Sequence, residues 1–446
     1  MTTPGAPAGP AVSVTTLALL LGGLFGLGGL GSTAMAVVLP QAADALDISL
    51  ADSSWLISLY ALTMAIGTPI YGRLVDMYGV RAPLLSGVVL MSTGALLAAF
   101  SHSFAVMVIA RLLQGLGTGV GFTLSVAVIS TRFVGADRIR GLAVAAGTAA
   151  AIGATGPLIG GITEALFTWR GTTALPALGL VLLTLLWRRV AGPGGGSGFD
   201  ILGALLVSVA AGGVIMLLQS ASSGATIAVI GAAAAALAGP LVVRRSHRAS
   251  DVFLPASVLL NRRLLRVCLV AGVIPAAWFA LLVAVPTELG GHGMAPVEVG
   301  VVLLPSTIVA LAVPRMAPYL TARWGQSRSL SGAAVIATVA LLIGAVGVRA
   351  EWVALMVVAV AMVSGAFSAG QPTMFAMVAD AADPQTRGAA AGFAALVFLT
   401  CGSAGSAIVG GMVDVGGIAG GLAVLAVVTS AGVVLSVIEV RARESR

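Results

Sequence analysis

The chain has 446 residues, of which 59% are hydrophobic and only 9% are charged, and its formal net charge at pH 7 is +7. Soluble domains carry about 25% charged residues, so this composition excludes an ordinary soluble protein. The positive charge does not indicate nucleic-acid binding, because the arginines lie in short loops between apolar segments, where the positive-inside rule places them.

Fourteen apolar segments are predicted to cross the membrane, and uniformly apolar segments of this length can only be helices. We therefore expect an all-α polytopic membrane protein. The predicted spans are 13–39, 52–74, 81–101, 104–131, 140–164, 170–187, 200–219, 225–243, 267–288, 297–320, 330–348, 352–378, 388–412 and 419–438.

The loop arginines predict the orientation of these spans. With a cytoplasmic N-terminus, twenty arginines fall in inner loops and two, Arg170 and Arg349, in outer loops. This asymmetry, with an even number of spans, places both termini in the cytoplasm.

A weak internal repeat relates the two halves of the chain. Pro40 and Pro286 lie 246 positions apart, as do Gly79 and Gly325. The repeat predicts two pseudo-symmetric six-helix bundles, residues 1–190 and 262–446, with an inserted pair of helices over 199–245. Two such bundles are the arrangement that alternating access requires.

Charged residues crowd the short segment between the second and third spans. Gly72, Leu74, Asp76, Gly79 and Arg81 form the pattern G-x-L-x-D-x-x-G-x-R. Charge this close to hydrocarbon is costly, which indicates a moving part. The pattern resembles the loop between helices 2 and 3 of major facilitator transporters, and this resemblance implies transport.

That resemblance implies a gate. Asp76 would bind the positive N-terminal end of the helix that starts near Gly388, and with Arg81 would hold the cytoplasmic side shut. Met77 stands where the family often has a basic residue, and Ala322 replaces the acid in the second half. A charge cluster that only sets topology is the alternative.

Arg111 and Gln114 form a second motif inside the fourth span, similar to the family's R-x-x-Q-G. The two residues share a helix face. An arginine at this depth costs about 2.5–3.5 kcal/mol, so we expect it to face a polar pathway. The alternative is that Arg111 extends outward to the membrane surface.

A third motif in the fifth span resembles the G-P-x-x-G-G element of antiporters in this superfamily. Proline removes a backbone donor and bends a helix, while glycines permit close packing between bundles. An ordinary proline kink is the alternative. The motif residues are Gly153, Gly156, Pro157, Gly160 and Gly161.

Together with fourteen spans, these motifs resemble the 14-helix drug/proton antiporter family. The resemblance implies export of small organic molecules by proton antiport through alternating access. A lipid or cell-envelope precursor carrier and a non-transporting sensor or scaffold are alternatives. An enzyme is not expected, because the chain lacks a nucleophile, metal site or acid pair at depth.

The first helix departs from this family. Aligned on Pro40, Gly31 and Ala36 replace the usual acid and asparagine. No acidic residue lies near the middle of any predicted span, so we expect a neutral, weakly acidic or lipophilic substrate, not a permanent cation. Asp44 and Glu164, near outer ends, are the candidate proton carriers.

Other candidate residues could line the transport pathway, although each aromatic could equally pack a core or face lipid. They are Tyr60, Phe122, Trp278, Gln371 and Phe375. We expect a monomer in a bacterial plasma membrane, with membrane lipids, protons and a small molecule as its partners. No metal or cofactor is expected, because the two cysteines and three histidines form no ligand pattern.

Overall fold

The computed structural model describes residues 13–190, 194–196, 198, 200–247, 252–383 and 386–444. The predicted units 1–190, 199–245 and 262–446 each lie partly outside these ranges. Within them the chain is helical, with no β-strand, and this confirms the all-α class.

The helices are α1 (Val14–Val37), α2 (Leu39–Leu46), α3 (Leu50–Ser53), α4 (Trp55–Tyr78), α5 (Arg81–Ala99), α6 (Phe104–Arg132), α7 (Gly135–Ala154), α8 (Gly156–Ala174), α9 (Gly179–Trp187), α10 (Ile201–Ser223), α11 (Ala225–Ser246), α12 (Ala256–Leu259), α13 (Arg262–Gly291), α14 (Pro296–Val302), α15 (Leu304–Trp324), α16 (Gln326–Arg349), α17 (Val353–Ala381) and α18 (Arg387–Glu444).

Eleven described helical segments are long and apolar enough to cross a membrane, or twelve if the bent pair Pro296–Val302 and Leu304–Met316 forms one span. The predicted number was fourteen. Two long segments contain breaks: α8 has non-helical backbone at Phe167 and Thr168, and α18 has it at Gly417. Both breaks lie between segments that hydropathy separates, after 164 and before 170 in the first case and after 412 and before 419 in the second.

The G-P-x-x-G-G motif lies where one helix ends and the next begins, and not within one continuous helix. Helix α7 ends at Ala154 and α8 begins at Gly156, with Pro157 in its first turn. A proline is tolerated there because the first-turn N–H groups have no partner within the helix. The predicted fifth span is therefore made of two helical pieces.

One large buried cluster connects the two halves of the chain. It contains Leu56 and Ile57 of α4 together with Ala271 of α13, Leu341 of α16 and Phe398 of α18. A second cluster lies within the first half and is formed by residues such as Leu21, Leu84 and Leu124. The halves therefore share a continuous apolar contact.

Helix α10 of the inserted pair contacts both halves. Its Gln219 donates from Nε2 to the Ser54 hydroxyl oxygen and to the Ala51 backbone oxygen, the latter at 3.3 Å. Trp55 donates from Nε1 to Ser223 Oγ at 3.0 Å. On the other side, a Cβ atom at Gly411 of α18 would lie 3.1 Å from the Leu218 oxygen. This helix therefore lies along the contact between α4 and α18.

Candidate functional site

Arg111 lies at the centre of a buried polar cluster formed by α1, α4 and α6. Its Nε donates to the Leu56 backbone oxygen at 2.9 Å, and its Nη1 donates to the Gly31 oxygen at 3.2 Å and to Gln114 Oε1 at 2.5 Å. The guanidinium carbon lies 4.2 Å from the centre of the Tyr60 ring. Arg111, Gln114 and Tyr60 are all completely buried, so the arginine does not extend to the surface.

Tyr60 and Thr118 hold this cluster in place. The Tyr60 hydroxyl donates to the Gly28 oxygen at 2.6 Å and lies 3.0 Å from Thr118 Oγ1. Thr118 in turn donates to the Gln114 backbone oxygen at 2.8 Å. The arginine is therefore oriented by neighbours that are themselves hydrogen-bonded, which is how rigid functional sites are built.

The two candidate proton carriers, Asp44 and Glu164, lie outside this cluster. Asp44 is exposed on α2 and Glu164 is half-buried on α8. Among the residues that the structure describes, neither forms an ion pair with Arg111. The structure therefore does not bring the predicted proton carriers onto the predicted arginine.

The hinge segment, residues 72–81, is bonded to the linkers on both sides of the inserted pair. The Asp76 backbone oxygen accepts from Gly195 N–H at 2.6 Å. Arg73 donates from Nη2 to the Val252 oxygen at 3.0 Å, and Arg81 donates from Nε to the Val190 oxygen at 3.0 Å. Hinge arginines therefore bind backbone carbonyls of the connecting segments.

Gly79 makes the hinge turn possible. It ends α4 with φ 74° and ψ −170°, a backbone conformation that residues with a side chain rarely adopt. Gly72 lies half-buried two turns earlier on α4. The glycines of the motif thus differ in role, because only Gly79 requires left-handed backbone.

Helices α4 and α18 run antiparallel beside the predicted gate. Ser58 Oγ lies 2.9 Å from Ser406 Oγ, and a Cβ atom at Gly392 would lie 3.2 Å from Pro69 Cβ. From these contacts α4 continues towards its end at Tyr78 and α18 towards its start at Arg387. Asp76 is exposed and its carboxylate accepts no hydrogen bond from another described residue, so the latch remains a prediction.

The G-P-x-x-G-G motif packs tightly against α1 of its own half and α14 of the other half, a contact that we call the glycine seam (Gly153–Gly161 against α1 and α14). A Cβ atom at Gly161 would lie 2.6 Å from Val297 Cα, and one at Gly160 would lie 2.9 Å from Ala34 Cα. Real Cβ atoms do not approach other atoms this closely, so the seam requires glycine. Thr33 Oγ1 also donates to the Gly153 oxygen at 2.9 Å.

Aromatic rings form two clusters near the predicted pathway. Phe122 of α6 stacks on Phe375 of α17 with ring centres 5.0 Å apart, and Phe25 of α1 lies 5.5 Å from Phe122. Trp278 stacks on Phe367 at 4.8 Å within the second half. The Phe122–Phe375 contact joins the two halves.

Sequence reasoning missed several of these participants. Phe25 and Phe367 carry no motif or charge that would distinguish them from other apolar residues. Gln371 does carry such a signal, as a polar residue beside a proline, and lies half-buried on α17 one turn before Phe375.

Residues 19–406 match the sequence profile of the Major Facilitator Superfamily. The chain belongs to this superfamily. The match covers most of the chain, so this is a transporter family member and not an enzyme, as the motifs predicted. Its many apolar helices make it a multi-pass membrane protein.

Several superfamily relatives are named as export proteins. The cephamycin export protein CmcT of Amycolatopsis lactamdurans is 28% identical over 68% of this chain and 65% of its own length. The tetracenomycin C resistance and export protein of Streptomyces glaucescens is 27% identical over 66% of this chain and 56% of its own length. The uncharacterised MFS-type transporter EfpA of Mycobacterium tuberculosis is 33% identical over 40% of this chain and 33% of its own length. The chain thus matches between a third and two thirds of the length of these relatives. Such bacterial relatives place it in a bacterial cell membrane.

Solved structures of the same fold cover nearly the whole chain. A POT family transporter in complex with a thioalcohol-conjugated peptide superposes with a TM-score of 0.70, covering 97% of this chain and 96% of that one at 12% identity. A POT family transporter in complex with 5-aminolevulinic acid gives the same score at 14% identity. At such low identity, the likeness concerns the fold alone.

Proposed function

We propose that this superfamily member exports small organic molecules by proton antiport through alternating access. The contact of the glycine seam with α14 carries the proposal, because Gly161 and Val297 lie on helices of opposite halves, where bundles that rock against each other must meet. The names of the cephamycin and tetracenomycin relatives support antibiotic or drug export. The 14-helix drug/proton antiporter family is the subfamily that we propose.

Fourteen spans follow if the broken helices are divided at their breaks. Helix α18 has 58 residues, and at about 1.5 Å per residue it is far too long for one crossing of a ~30 Å hydrocarbon core. The break at Gly417 divides it into two spans. Two more spans form in a similar way. One consists of α7 and the first part of α8, and the other consists of the rest of α8 and α9.

We propose three units for the chain: bundles over 1–190 and 262–446, and the inserted pair over 199–245. Both termini are cytoplasmic, and the chain acts as a monomer. In this arrangement the hinge lies on the cytoplasmic side, where Asp76 and the start of α18 separate when the transporter opens inward.

The proposed substrate is neutral, weakly acidic or lipophilic. Asp200 is the one buried carboxylate among the described residues, and it is bound to Arg245 outside the pathway candidates. A permanent cation would therefore have no buried acid to bind. Glu164 or Asp44 is the proposed proton carrier.

Proteoliposomes test this proposal. Cephamycin, tetracenomycin C and ethidium are each offered to vesicles carrying an imposed pH gradient and a pH-sensitive dye. We expect proton movement and uptake with a neutral or weakly acidic compound, and none with ethidium. Robust ethidium transport that does not depend on Arg111 would contradict the substrate class.

A lipid or envelope-precursor carrier is the second candidate, favoured by the absence of an acid from α1. The same vesicles, loaded with a fluorescent phospholipid, distinguish the two functions. Lipid movement without any drug-dependent proton flux would replace drug export with lipid transport.

A further inference from the structure

The positive charge of Arg111 has no anionic partner among the described residues. All three acceptors of its hydrogen bonds are neutral oxygens, from Leu56, Gly31 and Gln114. A charge buried in a low-dielectric interior is costly unless it is paired. The arginine therefore lies in a setting that favours a negative charge beside it.

Two hydrogen-bond donors of the same pair are also unused. Arg111 Nη2 and Gln114 Nε2 are buried without a partner in the part of the chain that the structure describes. Buried polar groups normally have partners, and an unpaired donor in the interior is unfavourable. A positive charge with two free N–H donors is the chemistry that binds an anion.

An acidic side chain at position 31 could have accepted hydrogen bonds from Arg111 and Gln114. A Cβ atom at Gly31 would lie 3.7 Å from Gln114 Nε2, 3.5 Å from the Tyr60 hydroxyl and 2.7 Å from Pro176 Cγ. A glycine provides no side chain, and only its backbone oxygen contacts Arg111. This chain therefore does not supply the counter-ion from α1.

We infer that Arg111 and Gln114 bind a small monovalent anion from solution, either chloride or the carboxylate of an organic acid. Both carry one negative charge and accept N–H hydrogen bonds. Because Arg111 and Gln114 are completely buried, the anion enters only when α1 separates briefly from α4 and α6, and we expect slow exchange. The inference concerns binding alone and does not depend on drug export.

Thermal unfolding of the purified protein provides the first test. Sodium chloride is titrated in parallel into the wild type and Gly31→Asp, so that the general effect of ionic strength is the same for both proteins. We expect the unfolding temperature of the wild type to rise saturably with chloride. Gly31→Asp supplies an internal carboxylate, so its unfolding temperature should not respond to chloride.

Gly31→Ala is the matched control. It adds the same Cβ atom and the same contact with Pro176, but no charge, so it should keep the chloride response. Arg111→Met removes the charge and should lose the response if it folds. Because Gly31→Asp retains Arg111, the test remains decisive even if Arg111→Met does not fold.

Radiolabelled chloride provides the second test and identifies the kind of anion. We expect the wild type and Gly31→Ala to bind the label, and Gly31→Asp to bind none. Displacement by benzoate would show that the site takes an organic carboxylate, whereas no displacement would show a halide site. The inference would be overturned if the wild type neither binds the label nor unfolds at a higher temperature when benzoate is added. A full chloride response in Gly31→Asp would overturn it as well.

Discussion

Arg73 donates a hydrogen bond to the backbone oxygen of Val252, 179 positions later in the chain and 3.0 Å away. The next residue, Phe253, donates its N–H at 3.0 Å to Asp200, which precedes α10. The hinge and the inserted pair are therefore connected through one short segment. We predict that a change in the hinge is transmitted to the inserted helices along this route.

Removal of the Arg73 side chain should weaken that connection. We expect Arg73→Ala to slow transport in proteoliposomes while costing only about 0.5–1.5 kcal/mol of stability, the net value of one hydrogen bond. Arg73→Lys, which keeps a charge and a donor, is the control and should retain more activity. Equal rates for all three proteins would show that the connection does not matter for transport.

Asp200 should make the stability of the folded protein depend on pH. Burial alone would raise the pKa of this carboxyl, but hydrogen bonds from Arg245, Phe253 N–H and Gly203 N–H, with the Arg245 charge, lower it below its ordinary value. A lowered folded-state pKa stabilises the protein above the unfolded-state pKa of about 3.9, and that stability is lost as the pH falls through the folded value.

Asp200→Ala tests this dependence. The variant loses the helix cap as well as the ion pair, so we expect it to be destabilised at pH 7 by at least the ~1 kcal/mol typical of a lost cap. Its unfolding temperature should then change less than that of the wild type between pH 6 and pH 3. Asp200→Asn keeps an acceptor for Gly203 and should lie between the two. Parallel pH curves for wild type and Asp200→Ala would contradict the assignment.

The glycine seam should not tolerate a side chain at Gly161. Gly161→Ala would place its Cβ atom 2.6 Å from Val297 Cα, so we expect the halves to separate locally and transport to fall strongly. Gly147→Ala is the matched control, because a Cβ atom there meets nothing within 4 Å. Export by vesicles with equal amounts of each protein provides the comparison, and equal rates would contradict a close contact.

The Phe122–Phe375 contact should couple the two halves. An aromatic pair contributes about 0.5–1.5 kcal/mol beyond buried area, so a double-mutant cycle with Phe122→Leu and Phe375→Leu should give a coupling energy in that range. Thermal or denaturant unfolding measures it. The same cycle on Trp278 and Phe367, within one half, is the control. We expect only the first pair to alter transport rate as well.

The membrane class and the helical fold were predictable, because hydrophobicity and helical hydrogen bonding are local properties of the sequence. The spacing of Arg111 and Gln114 likewise indicated that they share a helix face. The stacking of Tyr60 on Arg111 was not predictable, since these residues are 51 positions apart and meet only through the packing of α4 on α6. The number of fourteen spans stays a prediction. Hydropathy divides 140–164 from 170–187 and 388–412 from 419–438, and the non-helical backbone at Thr168 and at Gly417 lies between the members of these two pairs.

The contacts of the hinge were likewise not predictable from the sequence. Its charges and glycines indicated a moving part, but pairing of Arg73 and Arg81 with distant backbone oxygens cannot be read from a motif. Backbone carbonyls leave no signature in side-chain sequence. The contacts of the hinge with the linkers therefore became visible only in three dimensions.

The position of α10 has a consequence for protein engineering. Gln219 bonds to Ser54, which immediately precedes α4, and the Leu218 backbone oxygen lies against Gly411 of α18, so α10 cannot be excised without uncovering these groups. A shortened twelve-helix version would expose those polar groups to lipid, where each unsatisfied group costs several kcal/mol. Any such version would need a redesigned surface along α4 and α18 before it could fold.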